Sequence, residues 1–212
     1  MSSLPEEPLR IACVGASLTF GLGLPNRRET CYPAVLQQLL DAEYGAGRAR
    51  VGNFGYSGAT ASRGSNEPYW DTPSFTSVTR FDPRLVVLML GTNDAQFANA
   101  TARQTLANDL TDLIRYFQDL GAEVLVGDPP PAFPPVPEID FDALKSTVRP
   151  TIHRVADELD LTRIDFNTPL ADRHEDFPDG LHPNADVAAE IAQIAFTAIR
   201  GRQAARGWIP EH

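Results

Sequence analysis

Cysteine is scarce in this chain. Cys13 and Cys31 are the only two among 212 residues, too few for a disulfide scaffold. Cys13 falls inside the apolar run Ile11-Ala12-Cys13-Val14 and reads as a small buried residue. No cysteine and histidine cluster has the spacing of zinc ligands, so no metal and no other cofactor is expected. Positive charge is also short. Eighteen lysines and arginines face 28 aspartates and glutamates, for a net charge of −10. That balance disfavours nucleic acid and anionic membrane surfaces as partners, and leaves a neutral small molecule open. No apolar run approaches the roughly 20 residues that cross a bilayer. The opening stretch Met1-Ser2-Ser3-Leu4-Pro5-Glu6-Glu7-Pro8 lacks the basic and then apolar order of a secretory signal, so a cytoplasmic location is expected. Internal repeats and linkers are absent too, and residues 1–212 read as a single domain.

What the chain does contain is an alternation of short apolar runs with helical patterns. Residues 9–14 read as a first buried strand. Residues 32–44 read as a helix, with Val35, Leu36, Leu39 and Leu40 at helical spacing. Residues 50–54 are a weaker second strand. The run 85–90, bounded by Pro83 and Gly91, has the length and composition of a central strand covered on both faces. A helix follows over 102–120, with Leu106, Leu110, Leu113, Ile114 and Phe117 as its inner stripe and Gly121 as its stop. Residues 123–127 are a fourth strand, and the prolines of 128–137 impose an extended loop. A helix over 141–159, bent near Pro150, a fifth strand over 161–166, and a last helix over 185–202 capped by Asn184 complete the order. The alternation predicts an α/β protein, a three-layer α/β/α sandwich around a five-stranded parallel sheet. The segment 56–84 shows no clear periodicity. Its glycine, serine, proline and aromatic content reads as a loop with a function.

In an open parallel sheet, ligands bind beyond the carboxyl ends of the strands. Four segments fall there: Gly15-Ala16-Ser17, Gly55-Tyr56-Ser57-Gly58, Gly91-Thr92-Asn93-Asp94 and Asp179-Gly180-Leu181-His182-Pro183. A serine near one end and an Asp/His pair near the other suggest nucleophilic chemistry, because a neutral hydroxyl needs a base and the base needs an orienting partner. Taken in order, these segments resemble the blocks of the SGNH (GDSL-type) hydrolase superfamily, from Ile11 to about Ala198. The resemblance implies a flavodoxin-like SGNH hydrolase fold. It implies Ser17 as nucleophile, His182 as general base and acid, and Asp179 as the residue that orients the imidazole. It also implies an oxyanion hole made of the backbone N–H groups of Ser17 and Gly58 and the side-chain amide of Asn93. One position departs: the superfamily usually has Asp, or Asn, where this chain has Ala16. The serine lies in no Gly-x-Ser-x-Gly elbow and follows only one strand, unlike an α/β-hydrolase. Gly21-Leu22-Gly23 lacks the spacing of a dinucleotide loop.

Asn66-Glu67-Pro68-Tyr69-Trp70, with Asn53-Phe54-Gly55, Tyr32-Pro33-Ala34 and the Asn93 block, resembles the bacterial branch described as sialate O-acetylesterase-like or carbohydrate acetylesterase-like. That resemblance implies a short-acyl esterase acting on an acetylated sugar or another small alcohol. Tyr69 and Trp70 either face a sugar or pin a long loop to the body. Asp94 either contacts a substrate hydroxyl or serves as a local turn former. His153, His174 and His212 read as bystanders. Two other activities are kept beside the esterase: a lysophospholipase or thioesterase of the same superfamily, and a non-catalytic binding module whose site decayed at Ala16.

Overall fold

The computed structural model describes residues 7–209. The segment through Glu6, part of the stretch without a signal, and His212 lie outside them. In chain order the elements are β1 (Leu9–Gly15), α1 (Ser17–Phe20), α2 (Arg27–Thr30), α3 (Tyr32–Tyr44), β2 (Ala49–Gly55), α4 (Pro73–Phe81), β3 (Leu85–Met89) and α5 (Leu106–Asp119). These are followed by β4 (Glu123–Asp128), α6 (Phe141–Ala143), α7 (Arg149–Glu158), β5 (Arg163–Asp165) and α8 (Ala185–Arg206). All five strands pair in parallel in the order β2-β1-β3-β4-β5. The expected α/β sandwich is therefore present, with its switch point between β1 and β3.

Strand alternation divides the core in two. Ile11, Cys13, Leu85, Val87, Met89 and Leu125 point to one face and pack with Leu36 and Leu40 of α3 and Val187, Ile191 and Ile199 of α8. Ala12, Val14, Val86, Leu88, Val124 and Val126 point to the other and pack with Val78 of α4, Leu110, Leu113 and Phe117 of α5 and Ile152 of α7. The continuous apolar run of β3 follows directly, since both its faces are covered. Cys13 is buried as expected, and desolvation pushes its thiol up to about 12.

Three elements differ from the sequence reading. The segment 56–84 carries a helix, α4, capped by Thr72, whose hydroxyl accepts from the Phe75 N–H, and opened by Pro73. The helix over 141–159 is continuous but holds a π-turn, Leu144–Val148, just before Pro150. The π-turn ends two residues before Pro150, and its wider hydrogen-bonded ring accommodates a residue that cannot donate a backbone N–H. The fifth strand shortens to three residues. Among the described residues, no helix is long and apolar enough to cross a membrane.

Phe117 is fully buried beneath the sheet, whereas Phe97 is 61% exposed. Phe117→Ala is expected to lower the unfolding free energy by about 3–5 kcal/mol. Phe97→Ala should leave it nearly unchanged, both read from urea denaturation midpoints.

Candidate active site

Ser17 begins α1 two residues beyond the end of β1, at the switch point of the sheet. Its turn is braced from β2. The Asn53 side-chain amide donates to Thr19 O at 2.8 Å, while its carbonyl oxygen accepts from the Gly55 N–H at 3.0 Å. The Tyr56 N–H donates to Gly15 O at 3.0 Å, tying the turn that carries Gly58 to the end of β1.

His182 lies on the turn before α8. Asp179 Oδ1 accepts from the backbone N–H groups of Leu181 at 2.9 Å and His182 at 2.7 Å, which locks the carboxylate in place. Asp179 Oδ2 lies 2.6 Å from His182 Nδ1, and Ser17 Oγ lies 2.8 Å from His182 Nε2. With the Nδ1 proton committed to the carboxylate, Nε2 presents a lone pair, so the serine hydroxyl donates to it. The arrangement can move the serine proton to the imidazole and hold the resulting cation. Partial burial works to raise the Asp179 carboxyl. The hydrogen bonds from the His182 ring and the two backbone N–H groups outweigh it and hold the group below its ordinary value.

The turn is held from two sides. Gly180 adopts φ +80°, and a Cβ there would lie 2.3 Å from Phe133 O, so only glycine fits. The Phe133 N–H in turn donates to Gly180 O at 2.8 Å, clamping the proline-rich loop onto the turn. On the other side Asn184 caps α8 through the Val187 N–H and donates its amide to Asp176 Oδ1 at 2.8 Å.

Asn93 sits in the loop beyond β3 and is buried. Its Nδ2 donates to Ala59 O at 3.0 Å, and its Oδ1 accepts from Gln96 Nε2 at 3.2 Å. Gly58, next to Ala59, has φ +87°, a backbone conformation that keeps the turn free of a Cβ. Ser17 and Asn93 line one small cavity of about 20 Å³ with Ala16, Leu18, Leu90, Pro129 and Leu181.

Asp94, Tyr69 and Trp70 each stood between a substrate role and a structural one, and the contacts they make are structural. Asp94 is fully buried and accepts from the Ala61 N–H, the Ser62 N–H and the Ser62 hydroxyl. It ties the 56–84 segment to the Asn93 loop, and burial raises its carboxyl despite those donors. Tyr69 is buried, with its hydroxyl donating to Phe54 O at 2.8 Å. Trp70 packs on Phe75 and Tyr116 beneath the Arg63 guanidinium, 3.6 Å from its ring centre. Both rings pin the segment to the body. His153 and His174 lie outside the Ser17–His182–Asp179 hydrogen bonds. His153 pairs with Asp128 at 3.2 Å, and His174 sets its ring edge against Phe133. Asn53 and Gln96 were not singled out for the roles they take. Gln96 follows Asn93 by three residues in Asn93-Asp94-Ala95-Gln96, the spacing of one turn, and that is the signal that pairs them.

Fold and site together define a flavodoxin-like α/β protein with a serine–histidine–aspartate constellation at its switch point. Residues 13–189 match the GDSL-like lipase/acylhydrolase family, and the chain belongs to that family. It is 30% identical to an acetylxylan esterase of Xylanibacter ruminicola, over 94% of this chain and 45% of that protein, so it spans about half the length of that relative. Its fold is similar to that of a carbohydrate acetylesterase from Sinorhizobium meliloti, at 19% identity and TM-score 0.67, covering 91% and 99% of the two chains. A lipase/acylhydrolase from Enterococcus faecalis is similar at 20% identity and TM-score 0.72, covering 91% and 96%.

The lowered Asp179 value has a consequence for folding. Its folded pKa lies below its unfolded one, so its ionisation adds stability above the ordinary carboxylate value, near 4. That contribution fades as pH falls through the folded value. Asp179→Asn is therefore expected to flatten the acid side of the stability curve, measured as urea midpoints from about pH 6 down to pH 2.

Proposed function

We propose that this chain is a serine ester hydrolase that removes a short acyl group, acetyl above all, from a carbohydrate or another small alcohol. The observation that carries the reading is the hydrogen-bonded chain Ser17–His182–Asp179. Ser17 Oγ attacks the ester carbonyl as His182 Nε2 takes its proton. The Ser17 and Gly58 N–H groups and Asn93 Nδ2 receive the oxyanion. Collapse breaks the bond to the alcohol, which leaves with the proton from His182. Water then attacks the acyl-serine, gives its proton to the same nitrogen, and the acid departs as Ser17 is restored.

The size of the cavity supports the short acyl. About 20 Å³ is little more than the space a single water needs, which favours a small acyl group over a long one at this position. This weighs against the lysophospholipase and thioesterase alternatives. Ala16 lines the same apolar cavity, so a methyl there is in keeping with its surroundings, and the intact hydrogen bonds around His182 weigh against a decayed site. The names of the relatives, an acetylxylan esterase and a carbohydrate acetylesterase, favour a sugar as the alcohol. Phe97, exposed four residues beyond Asn93, offers an aromatic ring to such a partner.

Ser17→Ala is expected to lower p-nitrophenyl acetate hydrolysis by at least about a thousandfold while the thermal midpoint is kept. Wild-type turnover should fall by roughly tenfold or more from acetate to octanoate esters. An unchanged rate in Ser17→Ala removes the nucleophile assignment, and a preference for octanoate removes the short-acyl assignment.

A further inference from the structure

A carboxamide has two nearly isosteric ends of opposite polarity. An asparagine that serves an oxyanion must present nitrogen; the reversed group would present an oxygen and repel the charge it should stabilise. The terminal torsion of asparagine is broad, so a single hydrogen bond leaves the plane of the amide free to swing. Asn93 has more than one. Its Nδ2 meets Ala59 O and its Oδ1 receives Gln96 Nε2.

Gln96 is oriented in its turn. Asn99 Oδ1 accepts from the Asn66 backbone N–H at 3.0 Å, and Asn99 Nδ2 donates to Asn93 O and to Asn66 Oδ1, each at 2.9 Å. The polarity of those main-chain groups cannot reverse, so Asn99 can sit only one way round. Asn66 is thereby left with Nδ2 toward Gln96 Oε1, at 3.1 Å. Gln96 must then offer Nε2 to Asn93 Oδ1. Four carboxamides run head to tail, with main-chain anchors at Asn66 and Asn93 on one end and at Ala59 on the other. No charge enters any link. The neighbouring Asp94 carboxylate is turned away toward Ala61 and Ser62.

We propose that Gln96 is a positioning residue for ester hydrolysis. It sets the plane and polarity of the Asn93 amide, with one N–H on Ala59 O and the other toward the cavity beside Ser17, and the Asn66–Asn99 pair keeps Gln96 the right way round. The proposal rests on the reading of Asn93 as an oxyanion donor. It goes beyond that reading by extending the machinery to residues that touch no substrate.

Gln96→Glu is nearly isosteric and replaces the donor facing Asn93 Oδ1 by an acceptor. With p-nitrophenyl acetate, kcat should fall at least about tenfold, a share of the hundred- to thousandfold that follows loss of an oxyanion donor, with KM within about twofold of wild type. Gln96→Met removes the donor without adding charge and should lower kcat in the same way, by less. In an Asn93→Ala background, which itself should lose about a hundredfold, Gln96→Glu should change kcat by less than about twofold, because no amide remains to position. If both Gln96 variants keep wild-type kcat while Asn93→Ala is impaired, Gln96 has no such role. Equal losses in the two backgrounds mean that it acts through general structure, which overturns the proposal. An Asn93→Ala enzyme at wild-type rate overturns the oxyanion reading and the proposal with it.

Discussion

The hydrogen bond between Ser17 Oγ and His182 Nε2 joins residues 165 positions apart, and the geometry around it has little slack. One partner is carried by the first strand and the other by the turn before the last helix. What brings them together is the packing of α8 on the same sheet face as α3, where Val187, Ile191, Ala195 and Ile199 meet Ile11, Cys13 and Val87. The order β2-β1-β3-β4-β5 leaves β1 and β3 adjacent, with the chain departing in opposite directions from their carboxyl ends. The crevice between those departures is where Ser17, from β1, and Asn93, from β3, face one cavity. The reactive group thus depends on the whole core, although only three side chains make its hydrogen bonds.

Elements with strong periodicity were legible before any coordinates. The β3 run is apolar at every position because both faces are covered, and the α5 stripe repeats at helical spacing because only one face is. The Asp179 and His182 pair was legible because it is local: an aspartate three residues before a histidine on a glycine turn can bond both the ring and the backbone. What escaped was decided by tertiary contact. Helix α4 begins at Pro73 behind Thr72, inside a stretch whose glycines and serines hide its short pattern. Asp94, Tyr69 and Trp70 carry side chains that suit a binding site equally well. Their burial is set by partners 15 to 46 residues away in sequence: Phe54 for Tyr69, Ser62 for Asp94, and Tyr116 for Trp70. No local pattern encodes such a partner.

For the proposed reaction, a chain with a net charge of −10 must still stabilise a developing anion. The structure handles this by keeping acidic groups near Ser17 occupied. Asp179 spends both oxygens on its own turn and on the His182 ring, and Asp94 spends its own on Ala61 and Ser62. Around Asn93 the hydrogen bonds are instead made by neutral amides. A neutral network orients dipoles at little desolvation cost, whereas a lysine or arginine in that place would attract the free carboxylate product as strongly as the transition state.

The two sides of the scissile bond are built from different materials. The cavity beside Ser17, the acyl side in the proposed reaction, is walled by Leu18, Leu90, Pro129 and Leu181 and backed by Gly91, which lies against Val148 and Ile152. Arg149 stiffens that wall by donating to Asp128 Oδ1 at 2.7 Å, Pro129 O at 2.6 Å and Pro130 O at 3.0 Å. One guanidinium therefore ties the end of β4 and the first two prolines of the loop to α7, and the π-turn just before it carries Val148 into place behind Gly91. On the proposed reading, a wall held by a largely buried ion pair and by helix packing yields to a longer acyl chain only by breaking several hydrogen bonds together. Glu67 and Phe97 lie on loops outside that wall, and Phe97 is exposed. In the proposed function, acyl length is thus a property of the fold itself, while the choice of alcohol falls to residues that can change without it.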